Sequence, residues 1–158
     1  MRWRLVAAAL LVTAGCTVGP GRRFNTDVAP EGALLEVSVL AAGPLVRAEV
    51  RGELLEVRKD ALLVLGMVDE VVLEPPRQVA VKREARQRQV VLLPFANVVR
   101  ARFDKLGSGG SFSDRKPPSA AAREKLRLVS RFPQGLAPEY LQRLLAAEGQ
   151  TEVRRLGP

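Results

Sequence analysis

Residues 45–68 read LVRAEVRGELLEVRKDALLVLGMV, and the fold follows from them. Val46, Ala48 and Val50 alternate with Arg47, Glu49 and Arg51. A period of two places the apolar set on one face of a strand and the charges on the other. Gly52 interrupts the alternation, where a bulge or sharp bend is expected. Leu54 or Leu55, then Val57, resume it. Lys59-Asp60 reads as a turn, and Ala61 to Val68 have the composition of a buried strand.

The same pattern extends in both directions. Upstream, ALLEVSVL (33–40) puts Leu35, Val37 and Val39 on one face, and AAGP (41–44) breaks it. Downstream come EVVLE (70–74) and QVAVKRE (78–84), separated by Pro75-Pro76. QVVLL (89–93), the turn-like Pro94-Phe95-Ala96-Asn97 and VVRARF (98–103) complete the series. Short strands at such spacing predict a small antiparallel β-barrel or curved sheet over residues 33–104, in a mainly β chain with some α. Residues 45–103 resemble the SH3-like and Sm-like small barrels, in which a Gly-bent strand leads into an Asp-containing turn. Gly52 and Asp60 carry that similarity. The Arg-Gly pair typical of Sm proteins is missing, so no functional residue carries over.

Residues 105–118 are rich in Gly, Ser and Pro and read as a flexible linker. Gly107 to Gly110 lack the Gly-Lys-Ser/Thr ending of a phosphate loop. Ser113-Asp114-Arg115-Lys116 spells S-x-x-K, but Pro117 and Pro118 forbid the helical turn that serine-lysine chemistry needs. A helical hairpin and tail then occupy 119–158. Ser119 is the expected N-cap of a helix over 120–132, with Ala122, Leu126 and Val129 on its apolar face, Leu128 and Phe132 widening it, and Pro133 as its stop. Pro138 opens a second helix with a Leu141, Leu144, Leu145 stripe, a Glu139–Arg143 pair and Gly149 as C-terminal cap. Gln150 to Pro158 are expected to fray. A hairpin of about 30 residues is too small to stand alone, so it docks on the sheet or, through residues 119–148, on an envelope protein.

The N-terminus has a different logic. MRWRLVAAALLVTAGC places Arg2 and Arg4 before an apolar stretch, Leu5 to Val12, and small residues before Cys16. That is the layout of a secretory signal peptide over residues 1–15, too short to span a bilayer. Thr13, Ala14, Gly15 and Cys16 resemble the lipobox of bacterial membrane lipoproteins, with Thr13 where Leu is usual. The resemblance implies a diacylglyceryl thioether and an acylated, palmitate-type N-terminus at Cys16. Ordinary cleavage after Ala14, releasing a free thiol, is the competing outcome. Residues 16–32 would then be lipidated cysteine and tether, reaching roughly 20–25 Å. Thr17 in place of Asp favours the outer membrane, periplasmic side, if the cell is Gram-negative.

Composition limits the chemistry. The 158 residues carry 25 Lys and Arg against 17 Asp and Glu, a formal charge of +8. With no histidine and one cysteine, His-based acid–base pairs, Cys/His zinc sites and intrachain disulfides are excluded. No catalytic, cofactor-binding or metal-ligating set is expected, and the chain reads as a non-enzymatic envelope scaffold, adaptor or assembly factor. The alternative is a binder of an anionic envelope ligand through Arg47, Arg51, Arg58, Arg100 and Arg102 on the polar strand face. Glu49, Glu53, Glu56 and Asp60 interleave with the first three, which suits ordinary cross-strand pairing. Nucleic acid is disfavoured by export and by the scarcity of aromatic stacking platforms, and returns only if the chain is not exported.

Overall fold

The computed structural model describes residues 31–40, 45–74, 79–109, 111–113 and 116–157. The signal-peptide and lipobox expectations, Cys16 included, lie outside the described residues. The strands are β1 (Leu34–Leu40), β2 (Leu45–Val57), β3 (Ala61–Glu74), β4 (Val79–Arg83), β5 (Gln89–Pro94), β6 (Val98–Phe103), β7 (Ser111–Ser113) and β8 (Arg154–Arg155). Two α-helices, α1 (Ala120–Val129) and α2 (Pro138–Ala147), lie between β7 and β8. All eight strands belong to one sheet in the order β7-β6-β1-β2-β3-β5-β8, with β4 also on β3. Of the two forms expected, the curved open sheet is the one present. Pairing is antiparallel except between β5 and β8.

Alternation explains the interior. Leu35, Val37 and Val39 of β1 and Ala48 and Val50 of β2 point inward and join Leu62, Val64, Val91, Leu93, Val98 and Ala101 in one buried cluster. Gly52 bends nothing out of register. It pairs with Gly66, and a Cβ on Gly52 would fall 2.2 Å from the Leu65 carbonyl oxygen. The glycines let β2 and β3 approach at a point where no side chain fits. The register shifts lie instead at Leu45/Arg47 and Leu54/Glu56. The second shift resolves the Leu54-or-Leu55 alternative, because both are fully buried. Leu54 belongs to the interior cluster and Leu55 to a second cluster on the opposite face.

EVVLE does not form a strand of its own. β3 runs unbroken from Ala61 to Glu74, pairing β5 with its first half and β4 with its second. Asp69 and Glu70 hold the crossover in place. Asp69 accepts the Ala85 N–H, and Glu70 accepts from Arg154.

The helical hairpin docks on the sheet. Ser119 caps α1 by accepting the Ala122 N–H at 3.2 Å, as expected. The helix ends at Val129, ahead of Pro133, because the sheet competes for the next donors. The Arg131 and Phe132 N–H groups bond the Leu54 and Leu55 carbonyls, each at 2.9 Å. Pro138 opens α2, and Gly149, at φ +70°, closes it. The Glu139–Arg143 pair is not among the ion pairs of the described residues. The tail does not fray. Leu156 is buried in the interior, and β8 lies parallel on β5. An apolar residue that reaches the core, with an open strand edge to pair, outweighs the fraying of a free end. Within the expected linker, Asp104–Gly109 form a 3₁₀-helix and β7 pairs β6.

Candidate functional site

The outward face of β6, β1 and β2 carries the arginines that the sequence singles out. The register sets Arg102 opposite Glu36 and Arg100 opposite Ser38. On the other side of β1, Arg51 stands opposite Glu36, and Glu49 opposite Ser38. The inward neighbours Val37, Val50 and Ala101 are fully buried, so strand alternation fixes these polar side chains outward.

Glu36, Ser38, Arg47, Glu49, Arg100 and Arg102 line a shallow cleft of about 160 Å³. Its two carboxylates are already engaged. Arg51 Nε donates to Glu36 at 3.1 Å. Arg47 lies 3.4 Å and Arg51 3.9 Å from Glu49. Arg47 also donates to the Ser38 hydroxyl oxygen at 2.9 Å, which leaves the Ser38 O–H to donate elsewhere. Among the described residues no carboxylate pairs with Arg100 or Arg102. The expected stripe is therefore divided. Arg47 and Arg51 neutralise the acids between them, and Arg58 pairs with Glu56 away from the cleft. Arg100 and Arg102 remain as exposed cations. Ser38 and Glu36 were not among the expected site residues. Their signal is their place between the inward Leu35, Val37 and Val39.

Glu53 and Asp60 do not serve the stripe. Glu53 accepts the Gly32 N–H at 2.6 Å and pairs with Arg131 at 3.2 Å. Arg131 also stacks over the Phe132 ring, 5.7 Å from its centroid. The Asp60 carbonyl accepts the Phe95 N–H. Around Gly32 the chain is held on several sides. The Leu34 N–H donates to Asp104, Lys105 donates to the Glu31 carbonyl, and the Ala33 N–H donates to the Val129 carbonyl.

Elsewhere the ionisable groups form ordinary pairs. Arg127 donates twice to Glu124 on α1, which lowers the carboxyl below its usual range and raises the guanidinium. Among the described residues no three Asp, Glu, Cys or His side chains converge as a metal set. Ser113 is in β7 with its backbone on Arg100, which is no helical turn. No known protein family matches this chain, and neither a curated protein nor a solved structure matches it significantly.

Proposed function

We propose that this chain is an exported, lipid-anchored envelope protein in which the β-rich domain is a non-enzymatic adaptor, scaffold or assembly module. The observation that carries the reading is MRWRLVAAALLVTAGC, with the lone cysteine of the chain where the small residues end. A Gly- and Pro-punctuated stretch of about 16 residues then leads to the first strand, within reach of a membrane surface. Thr17 favours the outer membrane if the cell is Gram-negative. The similarity to SH3-like small barrels rests on Gly52 and Asp60.

An envelope-protein contact through residues 119–148 would use what docking leaves outside. Leu126 and Leu145 are buried, whereas Leu128 is 65% and Tyr140 41% exposed.

Fatty-acid labelling with membrane fractionation tests the anchor. The wild type is expected to be labelled and membrane-bound, and Cys16→Ser to lose the label. Processing also removes Trp3 and leaves Tyr140 as the main chromophore at 280 nm, so absorbance checks it independently. An unlabelled protein that stays in the cytoplasm overturns the reading and returns nucleic acid to consideration.

A further inference from the structure

We infer that the outward face of β6, β1 and β2 is a phosphate-recognising surface that seats the domain on anionic phospholipid headgroups. Arg100 and Arg102 are its ligands, and Ser38 is its hydroxyl donor. The choice of occupant rests on the lipid-anchor reading above.

Three observations lead there. First, the cleft has an asymmetric charge plan. Glu36 and Glu49 are held by Arg51 and Arg47, so they repel an incoming anion less than bare carboxylates would. Arg100 and Arg102, one strand away, are exposed and unpaired among the described residues. Second, the donor geometry suits a phosphoryl group. Planar guanidinium forks match phosphate oxygens. The Ser38 oxygen accepts from Arg47, and its own O–H remains able to donate. Third, residues 31–34 are fixed beside the Arg102 end of this face. Glu31 and Leu34 are tied to Lys105 and Asp104, immediately after β6. A lipidated Cys16 lies 15 residues before Glu31, and a flexible chain of that length averages roughly 20–25 Å. The face thus lies within one tether length of the bilayer surface, where each arginine adds about 1 kcal/mol of attraction to anionic lipid.

The test uses the full chain carrying Cys16→Ser, which has no lipid of its own. It is sedimented with phosphatidylcholine vesicles, with and without phosphatidylglycerol. Binding is expected only with the anionic lipid, and added salt should weaken it. In the same background, Arg100→Gln with Arg102→Gln should lower the affinity about 30-fold. Arg86→Gln with Arg143→Gln removes the same charge from exposed sites elsewhere and should leave most of the binding intact. Equal losses in the two double variants would overturn the surface, because net charge alone would then explain the attraction. So would an absence of binding dependent on phosphatidylglycerol. A parallel titration with glycerol phosphate, read on the arginine Nε–H signals, separates recognition of the phosphoryl group from attraction to a charged surface. Shifts confined to Arg100 and Arg102 support recognition, and shifts spread over all arginines count against it.

The two readings fail separately. A chain labelled at Cys16 in cells whose unlipidated form ignores anionic vesicles keeps its anchor and loses this surface. An unlabelled chain that binds them keeps the surface and loses the anchor.

Discussion

On the inner side of the sheet, Leu54, Leu62, Val64, Val91 and Leu93 are enclosed mainly by other strands, and Phe95, Leu106, Leu126 and Val129 of α1, and Leu156 complete the cluster. On the outer side, Leu55, Leu63, Leu65 and Val90 are covered by Leu145, Leu141, Leu144, Leu136, Phe132 and Val153, all from the C-terminal hairpin and tail. The same strands supply both sets. The inner cluster depends on how the sheet pairs with itself. The outer one depends on a separate segment docking from far along the chain. The contrast explains why β3 begins with an unbroken apolar run while β1 alternates. Residues 61–65 have a dry environment on both faces, whereas Glu36 and Ser38 of β1 face water. It also explains why the polar face stays open, because the hairpin covers β3, β5 and the end of β2 around Leu55 and leaves β6, β1 and the Arg47–Arg51 part of β2 bare.

The contrast can be broken from the inside first. Among the described residues Phe95 is the largest fully buried side chain, and it sits on the 3₁₀ turn that joins β5 to β6. Phe95→Ala should cost about 3–5 kcal/mol and lower the denaturation midpoint of the whole domain in one transition. Leu145→Ala acts on the outer cluster alone and should cost about 2–3 kcal/mol. Hydrogen exchange should then show α2 losing protection while β1 and β6 keep theirs. Equal loss in both regions would mean that the two clusters are one cooperative unit. The smallest effect is expected at the seam. Gln150 accepts the Val90 N–H at 2.6 Å and donates back to its carbonyl at 3.3 Å, so its amide stands in for a missing strand residue. Gln150→Ala leaves that edge donor without a protein partner and should cost about 1–2 kcal/mol, read as faster exchange at Val90.

Period-two alternation made β1, β6 and the first half of β2 legible in the sequence, because each buries one face, whereas β5, buried on both, showed only as a short apolar run. Helix starts were legible at Ser119 and Pro138, where capping chemistry is local. What could not be read locally depended on distant partners. The early end of α1 follows from the Leu54 and Leu55 carbonyls, some 75 residues away in sequence. The fusion of EVVLE into β3 follows from Arg154 and Ala85. The order in the tail follows from an open edge on β5, which the tail's own residues do not announce. The arginines of the polar face were visible as a set. Their division into paired and unpaired members needed the register between β1, β2 and β6.

The stitching around Gly32 has a mechanical consequence. A pull on the chain ahead of residue 31 meets β1 from its N-terminal end, between antiparallel neighbours β2 and β6. Drawing β1 out lengthwise loads its bonds to both neighbours together, in shear, whereas peeling would break them one by one. The bonds from Gly32 to Glu53, from Ala33 to Val129 and from Lys105 to Glu31 pass part of that load to β2, to the end of α1 and to the segment after β6. Under tension the domain should therefore yield late and all at once, at a rate set by its unfolding barrier.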